Sequence, residues 1–443
     1  MSRVVPVSGF PEWAPEERVV ERHVIETLRE VFALHGFAEI ETRAIEPLDR
    51  LRGDSDAAKE IYALRRVLAD AEDGDSGMGL HFDLTVPFAR YVEEFSGRIA
   101  FPFRRYQIQK VWRGERPQEG RFREFYQADI DVVARETLPA HVEVEVAAVV
   151  ARALALLPIP AVRIHVNDRR LVEAFYRGVG VADVPAALRS VDKLAKIGRE
   201  GVSAELRGAG LPDATVAACL DLAEIASPDA SFADDVRNLG ARHGVAPDAL
   251  EEGIASLVAL VDGINAAVPG VARADLRIAR GLDYYTGAVY ETYLEGHEDL
   301  GSICSGGRYD SLVTIGGSTL PGVGISVGVT RLVSRILSAG LASATRGVPS
   351  AVLVAVADED GRAGSEAVAA ALRARGIPCE VAPSAAKFGK QIQHADRRGI
   401  PFVWFPGEGG GEVKDIRSGE QVPADAASWA PPADDLWPRV ERR

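Results

Sequence analysis

The chain has 443 residues, which is long enough for two or three domains, and its hydrophobic (47%) and charged (26%) fractions are ordinary for a soluble protein. A formal net charge of −14 argues against indiscriminate nucleic-acid binding and restricts any contact with a polyanion to local basic patches. The three cysteines are far apart, which excludes a disulfide framework and a thiolate zinc site. The N-terminal segment has no apolar core of signal-peptide length and no run reaches membrane-spanning length, so we expect a cytoplasmic protein without membrane contact.

The first elements in chain order are a helix and a short strand. Apolar residues recur at three- and four-residue spacing over residues 15–36, and Gly36 suits the C-terminal cap of that helix. Residues 37–42 then alternate apolar with polar side chains, as a strand does. The charge, glycine and serine content of residues 54–79 predicts a mobile loop after this strand.

The next motif, HFDLTVPFARY, covers residues 81–91. It reads as a turn that enters a helix, with an aspartate shortly before a proline. An aspartate at that place is typical of an N-terminal cap. The residues alone therefore favour a structural role for Asp83.

Two strands joined by a charged loop follow. Residues 104–109 and 122–131 both alternate polar with apolar or aromatic side chains, and glycine and proline break the pattern between them. From 104 to 123 seven lysines and arginines stand against two glutamates, and arginine is suited to forked contacts with phosphate. Charge alone would favour a solvated hairpin edge. Gln127 and Asp131, however, lie on one face of the second strand, which favours a ligand site.

The remaining pattern predicts more strands and helices and then a separate α/β segment. Successive elements are a helix over 138–157, a strand entering a helix over 162–170, an Ala/Leu-rich helical block over 186–268, strands over 276–280 and 288–293, and a glycine-rich strand entering a helix over 322–332. After a linker rich in small residues, three strands alternate with two helices, as in a small, mostly parallel sheet. The Ala/Pro/Asp-rich end of the chain is expected to be only partly ordered.

These elements predict an α+β catalytic core built on an antiparallel sheet with flanking helices, an inserted helical subdomain, and a C-terminal α/β domain. The expected boundaries are a first domain at 1–340 with the insertion at about 186–268, a linker at 341–349, and a second domain at 350–443.

Several peptides of the chain resemble those of one enzyme family. The basic loop resembles motif 2 of class II aminoacyl-tRNA synthetases, and its wording RGERPQ (113–118) followed by GRFREF (120–125) is similar to the histidyl-tRNA synthetase family. RGLDYYTG (280–287) and SGGRYD (305–310) resemble two signature peptides of that family, and residues 322–332 resemble motif 3.

Other segments resemble the same family with two departures. The helix and strand up to residue 42 resemble motif 1, the dimer-forming element, but Arg43 stands where proline is usual. Thr330 stands where an acidic residue often precedes the motif 3 arginine. Residues 387–392 and the helix after them resemble the anticodon-binding domain of class IIa synthetases. The resemblance therefore implies a homodimer that binds tRNA.

The resemblance also implies a two-step reaction. ATP and L-histidine form histidyl-adenylate and diphosphate, and the histidyl group then moves to the 3'-end of tRNA(His). ATP with Mg2+ is expected as substrate, with no tightly bound, protein-ligated metal. Arg113 and Arg280 match catalytic cations at the α-phosphate, and Arg121 and Arg331 complete the implied ATP site. The residues implied for histidine are Asp83, Leu84, Thr85, Gln127, Asp131, Tyr284 and Tyr285. The residues implied for tRNA are Arg116, Gln118, Lys387 and Lys390.

The alternative to a ligase is a non-catalytic paralogue that regulates ATP phosphoribosyltransferase in histidine biosynthesis. That paralogue typically lacks the C-terminal domain and has degraded ATP-site arginines, whereas this chain has Arg113, Arg121, Arg280 and a complete α/β segment. A synthetase for another class IIa amino acid does not fit the wording of the 280–287 peptide. The resemblance therefore favours the histidine ligase.

Overall fold

The computed structural model describes residues 5–52, 59–66, 77–278, 285–407 and 410–443. Their contacts divide the chain into two compact units, Met1–Pro11 with Ile25–Ser334 and Glu12–Val24 with Arg335–Arg443. The loop expected at 54–79 falls largely outside the described residues. Within the described ranges, no helix combines the length and apolarity needed to cross a membrane.

The strands and helices of the larger unit follow the order expected from the sequence. Its strands are β1 (Ala38–Glu39), β2 (Ile45–Pro47), β3 (Met78–Leu80), β4 (Phe103–Trp112), β5 (Glu124–Val133), β6 (Val162–Asp168), β7 (Ala226–Ser227), β8 (Ala272–Asp275), β9 (Tyr285–Leu294), β10 (Cys304–Ile315) and β11 (Ser318–Gly328). The helices up to Ser338 are α1 (Pro15–Leu34), α2 (Leu48–Arg52), α3 (Thr85–Phe95), α4 (Ala140–Ala155), α5 (Arg169–Gly178), α6 (Val184–Val191), α7 (Leu194–Gly208), α8 (Asp213–Ala223), α9 (Phe232–Arg242), α10 (Pro247–Ala267) and α11 (Val329–Ser338).

Nine of these described strands form one sheet in the order β1-β4-β5-β11-β10-β9-β6-β8-β7. Neighbouring strands run antiparallel except in the pairs β1–β4 and β6–β8. The predicted antiparallel sheet with flanking helices is therefore confirmed. Of the strand expected at 276–280, residues 276–278 are not in a strand, because β8 ends at Asp275, and residues 279–280 lie outside the described residues. The Asn167 amide donates to the carbonyls of Leu276 and Ile278 at 3.3 and 2.9 Å, and a turn replaces the ladder there.

The β4–β5 hairpin separates the two faces of the sheet. Its register places Arg105 opposite Asp131 and Gln107 opposite Asp129, so these polar side chains share one face. The residues between them, such as Ile130, belong to the opposite face and are fully buried. Helix α4 packs against β5, β6 and β11. The alternation of the strand thus separates an apolar, helix-covered face from a polar face.

Helices α6 to α10 form the helical block that the sequence predicts between the strands. Helix α10 packs against α4, α5 and α9, and the short strand β7 joins the sheet beside β8. A kink interrupts α7 at Gly198, whose φ of 70° lies in the left-handed region that favours glycine. The boundaries of the insertion remain a prediction.

The smaller unit contains a second sheet. Its strands are β12 (Ala342–Ala344), β13 (Val352–Val354), β14 (Cys379–Val381), β15 (Phe402–Gly407), β16 (Gly410–Asp415), β17 (Gln421–Pro423) and β18 (Val440–Arg442), and its helices are α12 (Arg362–Ala374), α13 (Phe388–Arg397) and α14 (Ala433–Leu436). Five of the described strands pair in the order β14-β13-β15-β16-β17. Strands β14, β13 and β15 are parallel, as predicted, whereas β16 and β17 add antiparallel pairs that the sequence analysis did not identify.

The linker and the end of the chain are more regular than their composition suggests. Strand β12 lies within the expected linker and pairs with β18 at the C-terminus. Arg346 is 5% exposed and donates to the carbonyls of Val348, Pro349 and Leu436. Trp429 packs edge-on against Trp404, with ring centroids 5.7 Å apart. These contacts order the tail because they satisfy backbone carbonyls and bury an aromatic ring.

Candidate active site

A cavity of about 230 Å3 opens on the polar face of the large sheet. Three arginines line it: Arg113 after β4, Arg121 in the loop before β5, and Arg331 in the first turn of α11. The carboxylate of Glu115 lies between two of them, 3.8 Å from Nη1 of Arg113 and 3.7 Å from Nη1 of Arg121. The cavity is therefore cationic, with an internal carboxylate near its arginines.

Backbone carbonyls and an aromatic ring hold these arginines in place. Nε of Arg113 donates to the carbonyl of Phe82 at 2.9 Å, and its guanidinium lies 5.2 Å from the ring centre of Phe125. Nε of Arg331 donates to the carbonyl of Gly120 at 2.8 Å, and its Nη1 donates to the carbonyl of Ser302. The guanidinium groups are thus oriented before any ligand arrives.

The electrostatics of the cavity favour an anion. Burial lowers the pKa of Arg331, and the positive charges of Arg121 and Arg113 lower it further. Two arginines close enough to disfavour the charge of Arg331 make a site that a polyphosphate would neutralise.

Beside the cavity, three aspartates are buried around one arginine. Asp83 precedes α3, Asp129 and Asp131 lie two residues apart on β5, and Arg105 faces them from β4. The aspartates are 2–3% exposed and Arg105 is not exposed at all. Three carboxylates against one guanidinium leave an excess of negative charge in the described residues.

Asp131 takes up the charge of that arginine. Its Oδ2 lies 2.6 Å from Nη2 of Arg105, and its Oδ1 accepts a hydrogen bond from the Tyr309 hydroxyl at 2.8 Å. The guanidinium also lies 4.2 Å from the ring centre of Phe88. A Cβ atom at Gly324 would come within 2.1 Å of Oδ1 of Asp131, so only glycine leaves room for this carboxylate. Asp131 is therefore neutralised and fixed in position.

Asp83 and Asp129 keep their charge less easily. Burial raises the pKa of Asp83 to about 6 and that of Asp129 to about 7. The charge of Asp131 raises both values further, and Arg105 lowers both. Asp83 also raises the pKa of Asp129, so the two carboxylates are electrostatic neighbours. Both groups would ionise more readily beside an added cation.

Three buried acceptor atoms in this region have no hydrogen-bond partner among the described residues: Oδ2 of Asp83, Oε1 of Gln127 and Oδ1 of Asp129. The second polar atom of two of these side chains is engaged. Oδ1 of Asp83 accepts from the backbone N–H of Val86 at 3.1 Å, and Nε2 of Gln127 donates to the Ser326 hydroxyl at 2.9 Å. The N-cap residue of α3 is Leu84 rather than Asp83, but Asp83 still accepts a bond from the first turn of the helix, and its second oxygen has no partner among the described residues.

The structure brings several residues implied by the resemblance together and leaves others apart. Arg113, Arg121, Gln127 and Arg331 line the cavity, and Asp83 and Asp131 lie in the adjoining acidic cluster. Leu84 and Tyr285 are buried, and Thr85 is half-buried at the start of α3. Arg116, Gln118, Lys387 and Lys390 are exposed. Arg280 and Tyr284 lie outside the described residues.

The sequence analysis missed Arg105, Asp129, Tyr309 and Ser326 as members of this site. The alternation that selected Gln127 and Asp131 also selects Asp129, and the facing strand selects Arg105 in the same way. Tyr309 and Ser326 lie within the 305–310 and 322–332 peptides that resemble the family, but their contacts with β5 depend on how β10, β11 and β5 pair.

Both departures from the family pattern have structural contacts. Arg43 is exposed and pairs with Glu46, with Nη2 and Oε2 3.4 Å apart. The hydroxyl of Thr330 accepts a hydrogen bond from the backbone N–H of Tyr126 at 2.8 Å and is buried. Thr330 therefore ties the start of α11 to β5 beside the cavity.

Among the described residues, no group of three or more histidine, cysteine or acidic side chains could hold a metal ion. The expectation that no metal is tightly bound stays a prediction.

The family model for histidyl-tRNA synthetase matches residues 9–332, and the model for an anticodon binding domain matches residues 351–427. The histidine–tRNA ligase of Cutibacterium acnes is 58% identical, over 99% of this chain and 99% of its own. That of Micrococcus luteus is 55% identical, over 100% of this chain and 99% of its own. The crystal structure of histidyl-tRNA synthetase from Nostoc sp. PCC 7120 is similar with a TM-score of 0.83 and 34% identity, over 96% of this chain and 98% of its own.

Proposed function

The chain belongs to the histidyl-tRNA synthetase family, and from this premise we propose how its residues carry out the reaction. Its activity is that of a histidine–tRNA ligase. The observation that supports the residue assignments is the adjacency of a cationic cavity and an acidic, buried cluster on one sheet face, joined at Gln127 on β5.

The cationic cavity receives ATP. Arg113 lies nearest the acidic cluster and contacts the α-phosphate, while Arg121 and Arg331 contact the outer phosphates. Arg280 supplies a further cation at the reacting centre. Positioning and charge stabilisation carry this step, because the protein forms no covalent bond to the substrate.

Mg2+ bound with ATP supplies additional neutralisation of the phosphates. The ion usually needs only one or two protein carboxylates besides phosphate oxygens and water. Glu115 and Glu291 line the cavity and fit that requirement. The proposal needs no further Mg2+ ligand from the described residues.

The acidic cluster receives histidine. Asp83, Leu84, Thr85 and Gln127 surround the α-amino end, and Asp131 with Tyr284 or Tyr285 bonds the imidazole. A carboxylate already neutralised by Arg105 suits a neutral imidazole N–H donor. A site built to bond both ring nitrogens rejects analogues that lack them by a factor of roughly 10^4, since its polar groups would be left unpaired.

The tRNA meets exposed basic residues. Arg116 and Gln118 in the loop before β5 contact the acceptor end, and Lys387 and Lys390 at the start of α13 contact the anticodon region. The proposed domains are a catalytic domain at 1–340 and an anticodon-binding domain at 350–443. We also propose that the enzyme is cytoplasmic and that it is a homodimer. Sedimentation of the purified protein tests the oligomeric state.

A regulatory paralogue without catalysis does not fit this chain. This chain matches two relatives, at 58% and 55% identity, over nearly their full lengths, and both are named histidine–tRNA ligase. The arginines Arg113, Arg121 and Arg331 are all present and converge on one cavity.

The test is ATP–diphosphate exchange with each of the twenty amino acids in turn, followed by charging of tRNA. We expect exchange with histidine alone and loss of exchange in Arg113→Ala. Arg177→Ala is the matched control, because Arg177 is an exposed arginine that pairs with Glu173 and does not line the cavity. Exchange with another amino acid, or an Arg113→Ala protein that matches the control, would contradict the assignment.

A further inference from the structure

We propose that Asp129 is a substrate-contacting residue, whose Oδ1 joins Oδ2 of Asp83 and Oε1 of Gln127 in a three-acceptor receptor for the α-ammonium group of the amino acid. This inference rests on the proposed function, since it concerns how the same site holds histidine. The resemblance assigns no role to Asp129.

The first observation is that these three acceptor atoms are buried and make no hydrogen bond to a described residue. The three side chains are 2%, 2% and 8% exposed for Asp83, Asp129 and Gln127, and none of the three acceptor atoms has a hydrogen-bond partner among the described residues. A buried acceptor without a partner costs about 1–3 kcal/mol, and more when it is charged. Such a cluster beside a ligand cavity is therefore a site that a donor completes.

The second observation is how the three atoms are oriented. The backbone N–H of Val86 engages Oδ1 of Asp83, and the Ser326 hydroxyl engages the amide nitrogen of Gln127. In Asp129, Oδ2 faces Arg105 at 4.0 Å. Each contact leaves the opposite oxygen open. An ammonium group carries three N–H donors, which matches three acceptors held in advance.

The distribution of charge in the cluster indicates which carboxylates bind the ammonium of histidine and which binds the imidazole. Nη2 of Arg105 lies 2.6 Å from Oδ2 of Asp131 and 4.0 Å from Oδ2 of Asp129, so Asp131 is the more fully neutralised of the two carboxylates. At neutral pH the α-ammonium of histidine is cationic and the imidazole is mostly neutral. The less neutralised Asp129, with Asp83, therefore suits the ammonium, and Asp131 suits the ring.

Proton linkage follows from this arrangement. The groups that face Asp129 are Asp83, Asp131, Arg105 and the Ser326 hydroxyl, and burial is the largest cause of its raised pKa. An ammonium placed against Asp129 favours its ionised form, so binding of histidine releases protons near neutral pH. A residue with a purely structural role would not change the number of protons released.

The test compares Asp129→Asn with the wild-type enzyme on two inhibitors. L-histidinol keeps the ammonium and the imidazole, whereas 3-(imidazol-4-yl)propanoate keeps the imidazole and lacks the ammonium. In Asp129→Asn we expect the KM for histidine and the Ki for histidinol to rise about 10- to 100-fold. The Ki for the propanoate should stay within about threefold. Equal weakening of both inhibitors would place Asp129 at the imidazole and overturn the proposal, as would no weakening of either.

Calorimetry in two buffers of different ionisation enthalpy measures the proton release, which should be smaller in Asp129→Asn. Asp168→Asn is the matched control, because Asp168 is a buried aspartate whose oxygens are bonded to Arg170 and Ser256. That control should lose stability and keep its KM for histidine. A wild-type enzyme without histidine-dependent exchange would refute the proposed function itself. Normal wild-type exchange with unchanged histidine binding and proton release in Asp129→Asn would refute only this inference.

Discussion

Nη2 of Arg105 lies 2.6 Å from Oδ2 of Asp131, and the two residues are 0% and 3% exposed. This ion pair spans the β4–β5 hairpin within the buried acidic cluster. A buried ion pair contributes little net stability compared with apolar residues, but removal of one partner leaves an uncompensated charge. The pair therefore holds Asp131 in place at a site that also contains two further carboxylates.

We expect Arg105→Met to destabilise the protein by about 3–5 kcal/mol at neutral pH, because three buried carboxylates would then lack their guanidinium. Urea unfolding monitored by circular dichroism measures this change. Arg104→Met is the matched control, since Arg104 is a partly exposed neighbour paired with Glu145. A loss in Arg105→Met no larger than in the control would show that the carboxylates are neutralised in another way.

In the unliganded protein, the contribution of Asp83 and Asp129 to stability should fall as the pH rises from about 4 to about 7. The carboxyl groups of Asp83 and Asp129 have folded-state pKa values of about 6 and about 7, above their unfolded value of about 3.9. Between these pKa values the folded state binds more protons than the unfolded state. The free energy of unfolding therefore decreases as the pH rises. Unfolding at pH 5, 6, 7 and 8 should give a shallower decline in Asp129→Asn than in wild type. Parallel curves for the two proteins would contradict this origin of the pH dependence.

Arg280→Ala should reduce adenylate formation far more than histidine binding. In the proposed role its charge acts mainly as negative charge develops at the phosphate, and loss of one such donor typically costs about 3–4 kcal/mol of transition-state stabilisation. ATP–diphosphate exchange and equilibrium binding of histidine separate the two effects. Exchange within a few-fold of wild type would assign the reacting centre to other cations.

Arg116→Ala should slow transfer to tRNA and spare histidine-dependent exchange. Arg116 is exposed in the loop before β5, whereas Arg113 and Arg121 line the cavity. Aminoacylation and exchange assays on the same preparation measure the two steps. Equal losses in both assays would instead place this side chain at ATP.

The double variant Lys387→Ala/Lys390→Ala should weaken tRNA binding and reduce its salt dependence. Both side chains are exposed, and phosphate contacts weaken with added salt because the release of counterions on binding becomes less favourable. Truncation after the linker is a less specific test, because residues 12–24 belong to the same compact unit as residues 335–443. Filter binding at several salt concentrations gives the slope of log affinity against log salt concentration. The same slope in the variant and the wild type would locate the tRNA contact elsewhere.

The sequence by itself determined the elements whose signal is local. The alternation over residues 104–131 predicts the β4–β5 hairpin and the shared face of Gln127 and Asp131, because side chains of a strand alternate every second residue. The helix ending near Gly36 follows from apolar spacing and a glycine whose φ is 78°. The residues of the basic loop and of the 280–287 peptide indicated the family, because they resemble motifs of that family.

Only the tertiary structure decided which groups in the site are neutralised and which stay open. The bond from Tyr309 to Asp131 joins residues 178 positions apart, and the neighbourhood of Asp83 and Asp129 joins the start of α3 to the middle of β5. Periodicity specifies the face of a strand but carries no information on which strand lies beside it. Burial, hydrogen-bond partners and pKa values depend on those long-range neighbours, so the open acceptors of Asp83, Gln127 and Asp129 emerge only once the sheet has assembled.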